Sequence, residues 1–323
     1  KHSSAARGSG AVLGSKKLKA IAVRGTGKIK LANVELYKKL ARADKEFFKN
    51  DHIQHEVIAK YGTHIGMLNW LPPYKHFQKY LSSEECPEAY RPESWKRYEV
   101  GRAGCYGCPV GCKNVYEIPE GKYKGERGVG LEFECIASLG TNCGIMDDPV
   151  AIMEMESLAD KYGLDVIGLG NTIGFVKELY MKGIITDKDT EGLKLEWENK
   201  GAQIELIHQT ALREGFGNIV AEGLYNVAKI VGKGAMDYCY HVKGLGRGPW
   251  PLGVSSIAYA TSTRGADHLR GRCWTYTKND SYAKNDPDVF PELVKLGLYP
   301  AQLFPDPVPA LTIAERVATL TDT

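Results

Sequence analysis

Three cysteines fall within one short run at residues 104–112, GCYGCPVGC, spaced C-x2-C-x3-C. Thiolates at Cys105, Cys108 and Cys112 on so tight a Gly- and Pro-rich turn can converge on one inorganic cluster, because glycine lets the backbone fold back and turn its amides toward sulfur. A fourth ligand has to come from elsewhere. A zinc site would more often show a second C-x2-C or a histidine pair nearby, whereas the next cysteines are Cys135 and Cys143, eight apart. The spacing therefore favours a [4Fe–4S] cluster over zinc, and metal ligation over three buried structural thiols. The remaining cysteines are Cys86, Cys239 and Cys273. In a chain of 323 residues with three of its eight cysteines clustered, this pattern reads as metal ligation in a reducing compartment rather than as disulfides.

The elements that must position such a loop are mostly helical. Residues 33–50 carry Val34, Leu36, Tyr37, Leu40 and Ala41 at helical spacing. Asp148-Pro149 opens another helix, Asp as N-cap and Pro at the first helical position, running to a terminating Gly163. Residues 171–182 end at Gly183, residues 203–213 end at Gly215, and residues 217–231 read as one further amphipathic helix. Residues 18–24, LKAIAVR, read as a strand. Residues 71–112 and 119–130 are rich in Pro, Gly, Lys and Glu and read as long loops, which inside a compact domain are usually functional. The chain begins as if a domain were already under way and stops in a helical pattern, so it reads as incomplete at both ends.

Composition excludes some function classes. Hydrophobic residues at 43% and charged ones at 25% are ordinary for a globular protein, and a net charge of +3 argues against nucleic acid or an anionic membrane as partner. No segment approaches the ~20 unbroken apolar residues of a membrane helix. No secretion signal is visible, so the expected location is cytoplasmic.

Several stretches together resemble the aldehyde:ferredoxin oxidoreductase family. Residues 3–25, SSAARGSGAVLGSKKLKAIAVRG, look like the end of that family's pterin-binding β domain. GCYGCPVGC is similar to its cluster loop, and residues 130–145, GLEFECIASLGTNCGI, to its acidic segment. Residues 162–170, YGLDVIGLG, resemble its first D-x-x-G-L pterin motif, and residues 258–271, AYATSTRGADHLRG, its histidine segment. The five motifs keep the family's order. The resemblance implies a mostly α fold: helical domains 2 and 3 of the family, with the C-terminal edge of a β-rich pterin-binding domain at the N-terminus. The domains implied are 1–33, the end of the β-rich domain; 34–236, a helical domain with the iron–sulfur loop; and 237–323, part of a second helical domain.

The same resemblance implies a tungsten (or molybdenum) bis-pterin and a [4Fe–4S] cluster, with Mg2+ bridging the pterin phosphates. Cys105, Cys108 and Cys112 would be cluster ligands. The family's fourth cysteine lies in a second D-x-x-G-L-C motif that is not found before Thr323. Arg7 and Gly8 would meet the phosphate or magnesium end of the pterins, a guanidinium suiting phosphate. Asp165, Gly168 and Leu169 would line one pterin, and Glu134 and His268 would be the acid and imidazole beside the metal, His268 moving a proton or holding the substrate oxygen. Each has a plainer reading: Arg7 as a solvated loop residue, Asp165 as a helix cap, Glu132 in place of Glu134, and His268 as a structural histidine. Cys135 and Cys143 read as small buried hydrophobes, with Cys143 retained as a candidate to reach the metal. His76 stands as a second active-site histidine or, more simply, as a packed loop residue.

The chain departs from the family pattern in two places: Gly170 stands where Asp or Cys is usual, and residues 244–253, GLGRGPWPLG, lack the Asp of a D-P-R-like stretch. The implied activity is oxidation of an aldehyde to its carboxylic acid, with ferredoxin or an iron–sulfur subunit as electron acceptor, in a homo- or hetero-oligomer. The altered 244–253 loop and the aromatic stretch around His76 keep open a class II benzoyl-CoA reductase tungsten subunit acting on an aromatic acyl-CoA. A non-catalytic iron–sulfur electron-transfer subunit is the reading from another class.

Overall fold

The computed structural model describes residues 9–27, 29–50, 52–250 and 259–266. The described residues are mostly helical, with three small antiparallel sheets among them. The helices are α1 (Ser9–Ser15), α2 (Val34–Asn50), α3 (Pro149–Tyr162), α4 (Val166–Met181), α5 (Lys200–Leu212), α6 (Gly217–Val220) and α7 (Leu224–Val231), with several short helical turns between them. No helix among the described residues is long and apolar enough to cross a membrane.

Helix ends follow local chemistry. Asp148 accepts from Ala151 N at 2.9 Å, Pro149 stands at the first helical position, and α3 stops at Gly163 in the left-handed conformation. Asn199 caps α5 through Ala202 N at 3.0 Å. Helix α4 starts earlier than the sequence pattern suggests, at Val166, because Asp165 caps it. The single helix expected over 217–231 is two, α6 and α7, broken at Gly223, whose φ of +78° no helix accommodates.

The core is built around α4. Its side chains from Leu169 to Leu179 are buried on every face, and Ile173, Phe175, Val176 and Leu179 are wholly enclosed. Burying those four contributes on the order of 6–12 kcal/mol as an upper bound, at about 1.5–3 kcal/mol each. The π-helical turn Ile136–Gly140 packs against α4 so closely that a Cβ on Gly170 would stand 2.5 Å from Ser138 O. Gly170 is therefore a requirement of backbone packing, whatever contact an Asp or Cys makes there elsewhere.

The stretches read as long loops contain strands. Pro73–Tyr74 (β1) pairs with Lys79–Tyr80 (β2). Glu99–Ala103 (β3), Lys113–Glu117 (β4) and Arg127–Gly130 (β5) form a three-stranded sheet in the order β3-β4-β5, with Arg102 opposite Asn114 and Tyr116 opposite Gly128. His241–Val242 (β6) pairs with Leu245–Gly246 (β7). By contrast, residues 18–24 form no strand: no described strand pairs with them, and Ile21 and Val23 are exposed. An extended segment without a ladder partner has no basis for strand structure. Helix α2 forms as its periodicity predicts, with Val34, Leu36, Tyr37 and Leu40 facing outward.

Candidate functional site

The C-x2-C-x3-C run is the connection between β3 and β4, so the two strands hold both ends of the cysteine loop. Gly107 and Gly111 take φ values of +72° and +59°, and Cys108 N donates to Cys105 O at 3.1 Å, closing the turn. The loop's return is fixed by Arg102, which donates to Gly111 O at 3.2 Å and to Asn114 Oδ1 at 2.5 Å. Cys105 and Cys108 are exposed and Cys112 is half buried. Burial, and then the negative charge of Glu132, push the Cys112 thiol up. Lys113 pairs with Glu132 at 2.6 Å across the base of the loop. The donor set is all thiol, which suits iron–sulfur chemistry. Among the described residues no three His, Cys, Asp or Glu side chains already converge into a metal-holding group.

The acidic segment follows β5 directly. Glu132 faces Lys113, while Glu134, on the turn Phe133–Cys135, is half buried with its Oε2 sealed from solvent. Both carboxylates are half buried, and they differ in that Glu132 carries the Lys113 pair. Cys135 is buried and its thiol is pushed well up by that burial. Cys143 is also enclosed; its thiol donates to Ser138 O at 3.2 Å and Gly170 O at 3.3 Å, and burial pushes it up to about 12. A thiol held neutral between two carbonyls is a packing group in this arrangement, not a ready metal ligand.

Asp165 caps α4: its Oδ2 accepts from Gly168 N at 2.9 Å, and no protein donor reaches Oδ1 among the described residues. The plainer reading of D-x-x-G as a cap is therefore real, and it leaves one half-exposed carboxylate oxygen for another donor. Leu169, next to it, is buried in the core. Arg7, Gly8, His268 and Cys273 lie outside the described residues.

One constellation was underread in the sequence. Lys75, His76 and Phe77 all take left-handed backbone conformations (φ +47°, +51° and +62°), each costing about 1–2 kcal/mol without glycine. The strain is held by Lys75 N to Thr141 O at 3.1 Å, His76 N to Asn142 O at 2.7 Å and Phe77 N to Asn142 Oδ1 at 3.2 Å. Asn142 also donates to Asn171 of α4 at 3.3 Å, and Asn171 donates to Arg247 O. This clamp places His76 wholly inside the protein, its Nδ1 2.6 Å from Glu178 Oε2. Burial pushes the imidazole pKa down and nearby Arg247 adds to that, with Glu178 opposing. Arg247 lies 4.5 Å from the Phe77 ring centre, with the rings of Tyr80 and Tyr259 also nearby. The excess of aromatic residues in this stretch was the only sequence signal; its partner Glu178 is 102 positions away.

A cavity of about 310 Å3 lies elsewhere, between β5 and α3, lined by Glu126, Gly128, Glu156 and Lys161 among others. None of the candidate site residues lines it. It is rimmed by the Lys161–Glu126 pair.

Comparison with known proteins completes the picture. A family model described as "Aldehyde ferredoxin oxidoreductase, domains 2 & 3" matches residues 38–305. The chain is 34% identical over 281 residues to the WOR-like subunit of an aliphatic sulfonate oxidoreductase of Pyrococcus furiosus, covering 83% of this chain and 44% of that one. It is 35% identical over 281 residues to a tungsten-containing aldehyde ferredoxin oxidoreductase of the same organism, covering 83% and 45%. The chain thus spans less than half the length of these curated relatives. In fold it is similar to a chain of the active site complex BamBC of benzoyl coenzyme A reductase, solved with 1,5-dienoyl-CoA. The TM-score is 0.65 at 22% identity, over 81% of this chain and 42% of that one.

Proposed function

We propose, from the premise that this chain belongs to the aldehyde ferredoxin oxidoreductase family, that it is part of a tungsten (or molybdenum) bis-pterin oxidoreductase that oxidises an aldehyde to a carboxylic acid and passes the electrons to ferredoxin. The observation that carries the reading is the all-thiol loop held on the β3–β4 hairpin, inside the family match and just before the segment that carries Glu134. We place the end of the β-rich domain at residue 33 and the change of helical domain at residue 236.

In this reading Cys105, Cys108 and Cys112 hold a [4Fe–4S] cluster on a loop open to solvent, where a protein acceptor can approach. Asp165 Oδ1 accepts from pterin ring N–H groups while Oδ2 keeps the helix cap, with Gly168 and Leu169 forming the adjoining wall. Arg7 and Gly8 would meet the phosphate end of the pterins, where Mg2+ would offset the phosphate charge. Glu134 and His268 take and return protons at the substrate oxygen. When bound, the pterin-held metal supplies the two-electron chemistry and the cluster divides it into single electrons.

A second reading, the tungsten-bearing subunit of a class II benzoyl-CoA reductase, is favoured by the ring wall around Arg247. Both are tested on anaerobically purified full-length protein, by elemental analysis and by aldehyde-dependent ferredoxin reduction. About one tungsten or molybdenum and about four iron per chain are expected. Zinc without tungsten, molybdenum or iron refutes both readings. Ring reduction of benzoyl-CoA without aldehyde oxidation selects the second.

A further inference from the structure

The His76 cluster has no part in the cofactor roles above, and its chemistry is specific. Glu178 takes the hydrogen bond of Nδ1, so in the neutral imidazole Nε2 is left as an acceptor. That Nε2 is buried and has no hydrogen-bond partner among the described residues. Arg247 Nε is likewise buried without a partner among the described residues, although its Nη2 donates to Trp250 O and the guanidinium lies beside the Tyr80 hydroxyl. Both groups stand against one ring: the Phe77 centre is 5.7 Å from the His76 ring and 4.5 Å from the Arg247 guanidinium. Tyr240, 5.0 Å from His76 and 5.9 Å from Phe77, covers the group from the solvent side and is itself exposed. Tyr80 adds a further ring 6.5 Å from Phe77. The other charged neighbour is Lys182, 3.8 Å from Glu178 Oε1. Three successive left-handed residues hold this arrangement, strain that a plain packed loop does not need.

We propose that His76, Arg247 and the wall of Phe77, Tyr80 and Tyr240 form a subsite for an aromatic carboxyl group. The aryl ring lies along the wall, one carboxyl oxygen accepts from Arg247 Nε–H, and the other shares a proton with His76 Nε2. Because the imidazole starts neutral, binding of a carboxylate takes up a proton. In naming the carboxylic acid as product, and so an aryl aldehyde as substrate, the proposal rests on the oxidoreductase reading. The binding itself does not.

The test is calorimetric titration of the full-length holoprotein with benzoate, cyclohexanecarboxylate and benzyl alcohol, in two buffers of different ionisation enthalpy. Benzoate is expected to bind with uptake of about one proton, since one imidazole receives it. It is expected to bind several-fold tighter than cyclohexanecarboxylate through ring contact, and about tenfold or more tighter than benzyl alcohol, which lacks the charged partner for Arg247. Arg247→Gln and His76→Asn are each expected to weaken benzoate about ten- to a hundredfold, and His76→Asn to abolish the proton uptake. No benzoate binding, binding without proton uptake, or binding unchanged in Arg247→Gln overturns the proposal. If the variants do not fold, the wild-type ligand series decides alone. Metal analysis of the same sample separates the two ideas: benzoate binding with proton uptake in a protein free of tungsten and molybdenum refutes the proposed function and keeps the subsite. Aldehyde oxidation without benzoate binding does the reverse.

Discussion

Replacing Glu156 by Gln removes the carboxyl that fastens the cysteine hairpin to the helical core. Glu156 lies on α3, is 6% exposed, and its Oε2 accepts from the hydroxyl of Tyr116 on β4, just beyond the cluster loop. Burial raises its pKa from 4.5 to about 7; the Tyr116 hydrogen bond opposes this and Asp160 reinforces it. The folded-state value is raised, so the folded protein holds a proton that the unfolded chain releases between pH 4.5 and about 7. The associated stability is complete below pH 4.5, declines as pH rises, and is gone above about 7. The step from 4.5 to about 7, at about 1.4 kcal/mol per pH unit, is on the order of 3 kcal/mol, of which roughly 2.5 kcal/mol falls between pH 5 and pH 8.

Glu156→Gln cannot ionise, so it gains on the wild type across that window. The assay is amide hydrogen exchange of peptides from β4 and α3 in full-length protein, comparing variant and wild type at each pH so that intrinsic exchange cancels. The ratio of opening constants, wild type over variant, is expected to grow by roughly 70-fold from pH 5 to pH 8, the equivalent of ~2.5 kcal/mol. A ratio that stays level would mean that Glu156 is ionised throughout, and the argument from burial would fail.

Serine at Cys105 or Cys108 is expected to remove most of the iron and the visible absorbance while leaving the melting temperature of the metal-free protein within a degree or two, since both thiols are exposed; iron retained at wild-type levels would exclude them as ligands. Asp165→Ser keeps a helix cap and Asp165→Ala loses one worth about 1 kcal/mol, so tungsten content lost in both, with stability lost only in the alanine variant, identifies the pterin contact; tungsten retained in both leaves Asp165 a cap alone. Gly170→Ala puts a methyl 2.5 Å from Ser138 O and should cost about 2 kcal/mol or more in thermal unfolding. Lys177, enclosed and donating to Cys143 O and Trp197 O, has its pKa pushed down to about 8 by burial. Folding there opposes the charged form, so wild-type stability relative to Lys177→Met should rise between about pH 8 and 10.5, as read from denaturation midpoints.

Helix caps were legible because they are local. Asp148-Pro149 and the stop at Gly163 involve neighbours in sequence, and Asp165 at the head of α4 obeys the same rule. The cysteine loop was legible as a tight Gly-rich turn, with Gly107 and Gly111 at positive φ and Cys108 N bonded to Cys105 O. The sheet that carries it was not, since β5 is RGVG, a composition with little strand preference, and it exists only by pairing with β4. The reading of 18–24 as a strand failed for the converse reason: its residues favour a strand, and no described segment pairs with it. Propensity alone decided neither case; a ladder partner did.

Convergence on α4 was the least legible feature, and it explains why the candidate roles of this chain sit where they do. Its first turn carries the Asp165 cap, and Gly170 admits the turn that holds Cys143. Asn171 ties the His76 clamp to Arg247, and Glu178, 13 residues and roughly 20 Å from Asp165 along the axis, meets His76 itself. A helix buried on all sides shows no amphipathic stripe, so its periodicity does not say which residue faces which partner. Gly170, Asn171 and Gly174 within it look like helix-weakening choices until the neighbouring backbones are placed, when all three prove to meet the stretch 138–142, and Asn171 Arg247 as well. Substitutions along α4 should therefore alter ligand binding at the His76 cluster even where they do not touch the ligand. Gly174→Ala tests this: its methyl would stand 3.0 Å from Asn142 O and 3.6 Å from His76 Cβ, and so press on the clamp from the helix side. Benzoate affinity reduced in Gly174→Ala at full iron and tungsten content would show that α4 transmits position. Unchanged affinity would show that the clamp holds His76 independently of the helix face.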